Sequence, residues 1–158
     1  CGVDTHFGFV IHGLWPQYDR GGFPSSCATA AAPDAAIVEQ MLPLMPDRNL
    51  INHEWSKHGT CSGLSPKDYF AQATAAFRSL HIPESLLQPK SAVVSSLAEI
   101  EQSFIRANPG LAPEMMAVIC KDRVSEIRFC FDKTLHLRAC GPGVGDSCAG
   151  RATFLPTR

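Results

Sequence analysis

The densest group of reactive side chains in the sequence lies in residues 52–61. Four ionisable residues fall within six positions there: His53, Glu54, Lys57 and His58. On a helix at about 100° per residue, His53 and Lys57 share one edge. Glu54 and His58 share the adjacent edge. All four side chains can therefore meet at one small polar pocket suited to proton transfer.

Two other interpretations of this segment stay open. One is a solvated, charged helix face, which is common in proteins but for which two histidines and Trp55 are unusual choices. The other is a zinc protease site, since His-Glu-x-x-His binds metal through histidines at i and i+4. Here His53 and His58 are five positions apart, which turns the second imidazole by about 100°. Lys57 would also place a positive charge beside a dication, so we expect no metal site.

A second candidate is His12. The apolar run at residues 7–11 next to Gly13 and Pro16 predicts a buried strand that leads into a loop. His12 would lie where the strand gives way to the loop. A lone histidine in such a place is more often a hydrogen-bonded structural residue, so its interest depends on the rest of the chain.

The elements that would position these residues follow an α+β pattern. We expect helices after Asp34 with Ile37, Met41 and Leu44 at helical spacing, over residues 50–58, from Ser65, and through Leu97, Ile100, Phe104 and Ile105. Strand-like runs follow at residues 116–121, 124–132 and 135–139. The prediction is one domain over residues 1–158, with a central antiparallel sheet and several helices packed around it.

Charge and cysteine content narrow the function further. A net charge of -1 over 158 residues argues against a broad basic surface for nucleic acid, so any such contact must be local. No apolar run is long enough to span a membrane. Seven cysteines are the density of an exported, disulfide-stabilised protein, which predicts a secreted or periplasmic location. The number is odd, and we expect Cys1 to be the one without a partner.

The segments FVIHGLWP at residues 9–16 and HEWSKHGTC at residues 53–61 together resemble the two active-site segments of the ribonuclease T2 family. This family comprises acid ribonucleases and includes the plant self-incompatibility ribonucleases. Two long motifs in the same order are far more specific than either alone, and the cysteines extend the similarity over most of the chain. The chain resembles a secreted, bacterial-type member.

The resemblance implies an endoribonuclease that cleaves single-stranded RNA through a 2',3'-cyclic phosphate, without metal or other cofactor and without an obligatory protein partner. It assigns the general base to His58 and the general acid to His12. Two histidines with pKa values near 6.5 can hold opposite protonation states at mildly acidic pH. Lys57 and a protonated His53 would stabilise the negative transition state. Glu54 would assist the histidines or the phosphoryl oxygens.

Base binding is expected at three positions. Trp15 offers a flat surface for stacking, although core packing is an equally natural role for it. Some fungal relatives add an Asp and a Tyr to this pocket, and counting from His12 those places hold Gln17 and Phe23. Selection of purines by a carboxylate is therefore not expected.

By the same resemblance, the cysteines should form the pairs Cys27–Cys61, Cys120–Cys148 and Cys130–Cys140. Family members usually carry a strand and cysteines upstream of the segment that matches residues 7–11, so we expect a missing N-terminal strand and an upstream partner for Cys1. Two rival functions remain. The chain could be a catalytically idle member that acts in binding or signalling, or a histidine-dependent phosphatase or phosphodiesterase.

Overall fold

A computed structural model describes residues 8–155 of the chain. These residues form two compact units: residues 10–79 with 141–143, and residues 80–140 with 8–9 and 144–155. Helices and antiparallel strands occur together, so the α+β class is confirmed. Cys1 and Phe7, on which two of the predictions depend, lie outside the described residues, and the single-domain organisation stays a prediction. None of the helices in this part of the chain is long and apolar enough to cross a membrane.

Three helices make up most of the first unit: α1 (Ala35–Met41), α2 (Arg48–Lys57) and α3 (Pro66–Arg78). Each begins at a side-chain cap, because Asp34, Asp47 and Ser65 accept hydrogen bonds from backbone N–H groups of the first turn. A turn of 3-10 helix (Gly59–Cys61) follows α2. The Asp47 cap fixes where α2 starts.

The apolar faces of these helices enclose one core. Its buried members come from all three helices, from the turns between them and from Ile11: Ile11, Val38, Met41, Met45, Ile51, Trp55, Tyr69 and Phe70. The indole N–H of Trp55 donates to the carbonyl oxygen of Ala31 at 3.0 Å. Gly59 lies directly against the Trp55 ring, where a Cβ would overlap the indole. Trp55 therefore anchors α2, and its ring occupies the space that a side chain at position 59 would need.

The second unit contains two helices, α4 (Glu84–Leu87) and α5 (Leu97–Ala107), and four strands. The strands are β1 (Val93–Ser96), β2 (Met116–Cys120), β3 (Val124–Phe129) and β4 (Arg151–Phe154). They pair antiparallel as β1 with β4 and β2 with β3. A capping box between Ser96 and Glu99 starts α5, whose Ile100 and Phe104 are buried in the core of this unit. The disulfides Cys120–Cys148 and Cys130–Cys140 lie here as well.

Several elements differ from the sequence-based expectations. Residues 8–11 form no strand, and the Ile11 N–H instead donates to the Leu44 carbonyl at 2.8 Å. Leu44 itself lies beyond α1. Residues 135–139 form only a single bridge, Phe131 to Leu137. The cause is the turn before it, where the Asp132 carboxylate accepts hydrogen bonds from the Thr134 and His136 N–H groups. The elements α4, β1 and β4 were not predicted.

Candidate active site

The end of α2 carries most of the predicted site. His53, Glu54 and Lys57 lie in its last two turns, and His58 is the C-cap, with its N–H donating to the Glu54 carbonyl at 3.0 Å. The two helix edges differ in depth. His53 is exposed and Lys57 half-buried, whereas Glu54 and His58 are buried. The reactive groups therefore form a layer of two buried side chains beneath two side chains closer to solvent.

His58 is the most perturbed group of the site. Its side chain is only 5% exposed, and Nδ1 is buried without a hydrogen-bond partner within residues 8–155. Burial lowers the pKa of His58 to about 4, and the positive charges of Lys57, His53 and His12 act in the same direction. His58 is therefore a neutral imidazole at mildly acidic pH.

Glu54 is 2% exposed and makes a polar contact with the first motif. Its Oε2 accepts a 2.7 Å hydrogen bond from Nε1 of Trp15. Burial raises the pKa of Glu54, while the bond from Trp15 and the charges of His12, His53 and Lys57 oppose that rise. Gly13 lies against both partners, and a Cβ there would overlap the carboxylate and the indole nitrogen. Any side chain at position 13 would have to displace the Glu54 carboxylate and the Trp15 indole.

The segment from His12 to Trp15 has no regular secondary structure, yet it is well anchored. The buried hydroxyl of Tyr69 on α3 donates to the Leu14 carbonyl at 2.7 Å. The rings of His12 and Trp15 meet edge to face, with their centroids 5.0 Å apart. The Trp15 ring also contacts His58, at 5.6 Å. Trp15 thus contacts the rings of both histidines to which the resemblance gives acid and base roles.

The loop after Trp15 is fastened to the end of α2. The Ser26 N–H donates to the Lys57 carbonyl at 2.8 Å and the Cys27 N–H to Oγ1 of Thr60 at 3.2 Å. The disulfide Cys27–Cys61 crosses the same place. It and the two disulfides of the second unit are the same three pairs that the resemblance implies.

These attachments place the Phe23 ring beside His58, with the centroids 5.8 Å apart, although Phe23 is 49% exposed. Gln17 is exposed, and its side-chain amide donates to the Trp15 carbonyl at 3.5 Å. Of the three expected base-binding residues, Trp15 lies against His12 and His58 and Phe23 against His58, while Gln17 contacts the backbone of the loop.

Two contributors were not found from the sequence. Tyr69 follows the pattern of an apolar helix face, and nothing in that pattern signals a contact with Leu14. Gly13 follows a histidine, and nothing local signals that it faces a carboxylate. In residues 8–155, no group of three or more His, Cys, Asp or Glu side chains is arranged to hold a metal ion.

The cluster consists of the buried imidazole of His58, the exposed imidazoles of His12 and His53, the Lys57 amine, and the buried Glu54 carboxylate beside the Trp15 indole. The profile of the Ribonuclease T2 family matches residues 2–140, which includes every member of this cluster. The chain belongs to the Ribonuclease T2 family.

Relatives of this T2 family member include a ribonuclease of Aeromonas hydrophila, 55% identical over 67 residues, which cover 42% of this chain and 30% of that protein. A probable ribonuclease of Haemophilus influenzae is 29% identical over 89% of this chain and 49% of its own length. The chain thus spans half or less of these two relatives. An RNase-related protein from Calystegia sepium has a solved structure with a TM-score of 0.74 at 25% identity, covering 96% of this chain and 84% of that one.

Proposed function

We propose that this T2 family member is an endoribonuclease that cleaves single-stranded RNA by transphosphorylation. The 2'-hydroxyl oxygen forms a bond to the neighbouring phosphorus, and the bond from phosphorus to the 5'-oxygen breaks. His58 takes the 2'-hydroxyl proton and His12 gives a proton to the departing 5'-oxygen. Water then opens the 2',3'-cyclic phosphate with the two roles exchanged, leaving a 3'-phosphate end.

The observation that carries this proposal is the buried His58 with its pKa lowered to about 4. A general base must start the reaction without its proton, and this imidazole is neutral at pH values where an ordinary histidine would be largely protonated. His12 is exposed to solvent, which suits an acid that must be protonated again after each turnover. The environments of the two histidines thus favour opposite roles.

Charge in the transition state has two cations to meet it. The phosphorane gathers negative charge on its oxygens, and fixed positive donors lower the barrier when they stabilise that charge more than the ground state. Lys57 and a protonated His53 fill this role near the solvent side of the site. Both act on the buried Glu54 and His58 electrostatically, which supports their closeness to the reacting groups.

Glu54 assists in a different way, because its oxygen is already engaged by Trp15. A buried carboxyl with a raised pKa is suited to share a proton with its neighbours and to hold the indole in place. Trp15 and Phe23 would then offer aromatic surface to a base of the substrate beside the histidines. Gln17 would contribute an amide at the rim of this surface.

Secretion or export to the periplasm is part of the proposal. The three disulfides Cys27–Cys61, Cys120–Cys148 and Cys130–Cys140 fit an oxidising compartment. The expected substrate is a single-stranded RNA, and neither a metal ion nor an obligatory protein partner is part of the mechanism.

The test is cleavage of polyuridylate in EDTA, with analysis of the ends for 2',3'-cyclic phosphate, beside a deoxy polymer of the same length. We expect RNA cleavage with cyclic ends and no cleavage of the deoxy polymer, because the nucleophile is the 2'-hydroxyl. His12→Ala and His58→Ala should each lower the rate by roughly 10²- to 10⁴-fold in folded protein. Cleavage of DNA, or activity lost in EDTA and restored by zinc, would contradict the mechanism. A folded wild type without activity would favour the alternative of a catalytically idle family member that acts in binding or signalling.

A further inference from the structure

The strongest unexplained contact of the first unit is the one between Tyr69 and Leu14. Tyr69 is 1% exposed, so it cannot touch a substrate. Its hydroxyl donates a 2.7 Å hydrogen bond to the Leu14 carbonyl, which lies 55 residues earlier in the chain. That carbonyl belongs to the residue directly before Trp15 and two residues after His12. A buried hydroxyl of the core thus binds the backbone of the catalytic segment, residues 12–15.

The surroundings of Tyr69 make it a fixed donor. Its ring packs edge to face on Trp55 and Phe70, with centroid distances of 5.9 and 5.0 Å. Burial raises the pKa of Tyr69 well above its ordinary value, and the nearby Glu54 carboxylate raises it further, against the opposing effect of the bond to Leu14. The phenol therefore keeps its proton throughout the working pH range.

The catalytic segment depends on such donors because it has no helix or strand to hold it. Three hydrogen bonds to separate elements hold this stretch: the Ile11 N–H donates to Leu44, the Tyr69 hydroxyl to Leu14 and the Trp15 indole to Glu54. The first lies before His12 and the third after it. The bond from Tyr69 is the anchor between them, where the backbone turns from the histidine to the indole.

We propose that Tyr69 is a positioning residue that sets the place of the general acid His12 through the Leu14 carbonyl. This inference rests on the proposed ribonuclease function. Loss of the hydroxyl would leave the ring packing intact but would free the backbone of the segment. A displacement of about 1 Å at a catalytic group can cost on the order of 10² in rate, whereas the overall fold would change little.

Two substrates with different leaving groups distinguish a misplaced acid from a general loss of structure. Cleavage of the dinucleotide uridylyl-uridine requires a proton for the departing 5'-oxygen, which His12 supplies. The nitrophenyl ester of uridine 3'-phosphate releases nitrophenolate, which needs no proton. A variant with a misplaced acid is therefore slow on the first substrate alone, and a partly unfolded variant is slow on both.

The experiment measures kcat/KM of Tyr69→Phe on both substrates. We expect a roughly 10- to 100-fold loss on the dinucleotide and a change within about twofold on the nitrophenyl ester. Tyr18→Phe is the matched control, because Tyr18 is the other tyrosine of the chain and is 55% exposed. It should resemble the wild type on both substrates.

A second variant keeps the inference testable if Tyr69→Phe also destabilises the fold. Because Tyr69 acts through His12, adding Tyr69→Phe to His12→Ala should slow the dinucleotide reaction little beyond His12→Ala alone. Equal losses on both substrates, or full additivity with His12→Ala, would overturn the role of Tyr69. A wild type that cleaves neither substrate would overturn the proposed function itself, and this inference with it.

Discussion

The indole nitrogen of Trp15 and a carboxylate oxygen of Glu54 lie 2.7 Å apart, which joins the two motifs through residues that are 39 positions apart in the chain. The same Trp15 ring lies against His12 and His58, and its indole nitrogen engages the buried Glu54 carboxylate. The position of Trp15 and the charge state of Glu54 are therefore coupled.

Trp15→Phe tests that coupling. Phenylalanine keeps a flat apolar ring but has no N–H, so the Glu54 carboxylate loses the bond that lowers its pKa. We expect the pKa of Glu54 to rise further, measured by NMR on labelled carboxyl carbons. We also expect kcat/KM on RNA to fall roughly tenfold, the worth of one hydrogen bond to a charged group.

Trp55→Phe is the control for this substitution, because the Trp55 indole bonds to the Ala31 carbonyl and not to Glu54. It should lower stability and leave the pKa of Glu54 near its wild-type value. An unchanged pKa in Trp15→Phe would show that the bond does not hold Glu54 in solution.

The second prediction concerns the pH dependence of activity. Because the base must be neutral, the acidic limb of the kcat/KM profile should lie at about pH 4, the lowered pKa of His58. Lys57 is the largest electrostatic cause after burial, so Lys57→Gln should raise the pKa of His58 and move its NMR titration to higher pH. Lys67→Gln, which replaces an exposed lysine on α3, should not move it. A titration of His58 at its ordinary pKa in the wild type would contradict the assignment.

The same shift makes a contribution to stability with a defined sign. The pKa of His58 is lower in the folded state, about 4, than its ordinary 6.5, so the unfolded chain binds the extra proton first. This contribution is complete above pH 6.5 and is lost as pH falls from there toward 4. His58→Gln should flatten this part of the curve of unfolding free energy against pH, as measured by urea titration.

A third prediction concerns the second unit, where Glu101 on α5 faces Asp146. Burial raises the pKa of Glu101, and the charge of Asp146 and a hydrogen bond between the two acids raise it further. A raised acid pKa stabilises the fold at low pH and costs stability as pH rises through the folded-state value. Glu101→Gln should therefore raise the melting temperature at neutral pH and change it less at acidic pH.

Glu114→Gln, at an exposed position in the same unit, is the matched control and should change the melting temperature little at either pH. A lower melting temperature of Glu101→Gln at neutral pH would show that the two acids do not repel each other there.

The fourth prediction compares two disulfides. Cys27–Cys61 spans 34 residues, and removing it by a double alanine substitution should cost roughly 4 kcal/mol of unfolding free energy in the loop-entropy account. Cys130–Cys140 spans 10 residues and should cost roughly 3 kcal/mol. Only the first removal should also slow RNA cleavage at temperatures where the protein is folded, because it releases the loop that carries Phe23 beside His58. Equal activity in the two variants would contradict this role.

The parts of the fold that the sequence predicted are those with local signals. Asp34 and Ser65 cap helices that start where expected, and the helix expected through Leu97, Ile100 and Phe104 is α5. The strands β2 and β3 have β-branched and aromatic runs long enough to show a pattern. By contrast, β1 and β4 have four residues each and are defined by their pairing across the chain, which no local pattern contains.

The site shows the same division. The spacing of His53, Glu54, Lys57 and His58 predicted two helix edges that converge, and the structure separates the edges into a buried and a more exposed pair. Spacing could not tell that His58 leaves the helix as its C-cap or that its Nδ1 is buried without a partner. Residues 8–11 form no strand because apolar side chains fit both a strand and an extended segment that packs into a helical core.

The close approach of Gly13 to Glu54 has a consequence for any survey of variants. In a library with every residue replaced in turn and selected for RNA cleavage, position 13 should tolerate no substitution, because the first carbon of any side chain collides with the acid and the indole together. Gly13 would then score beside the histidines although it has no group that can react. An active site defined by intolerance to substitution would therefore include one residue too many. Only the geometry distinguishes residues that react from a residue whose small size leaves them room.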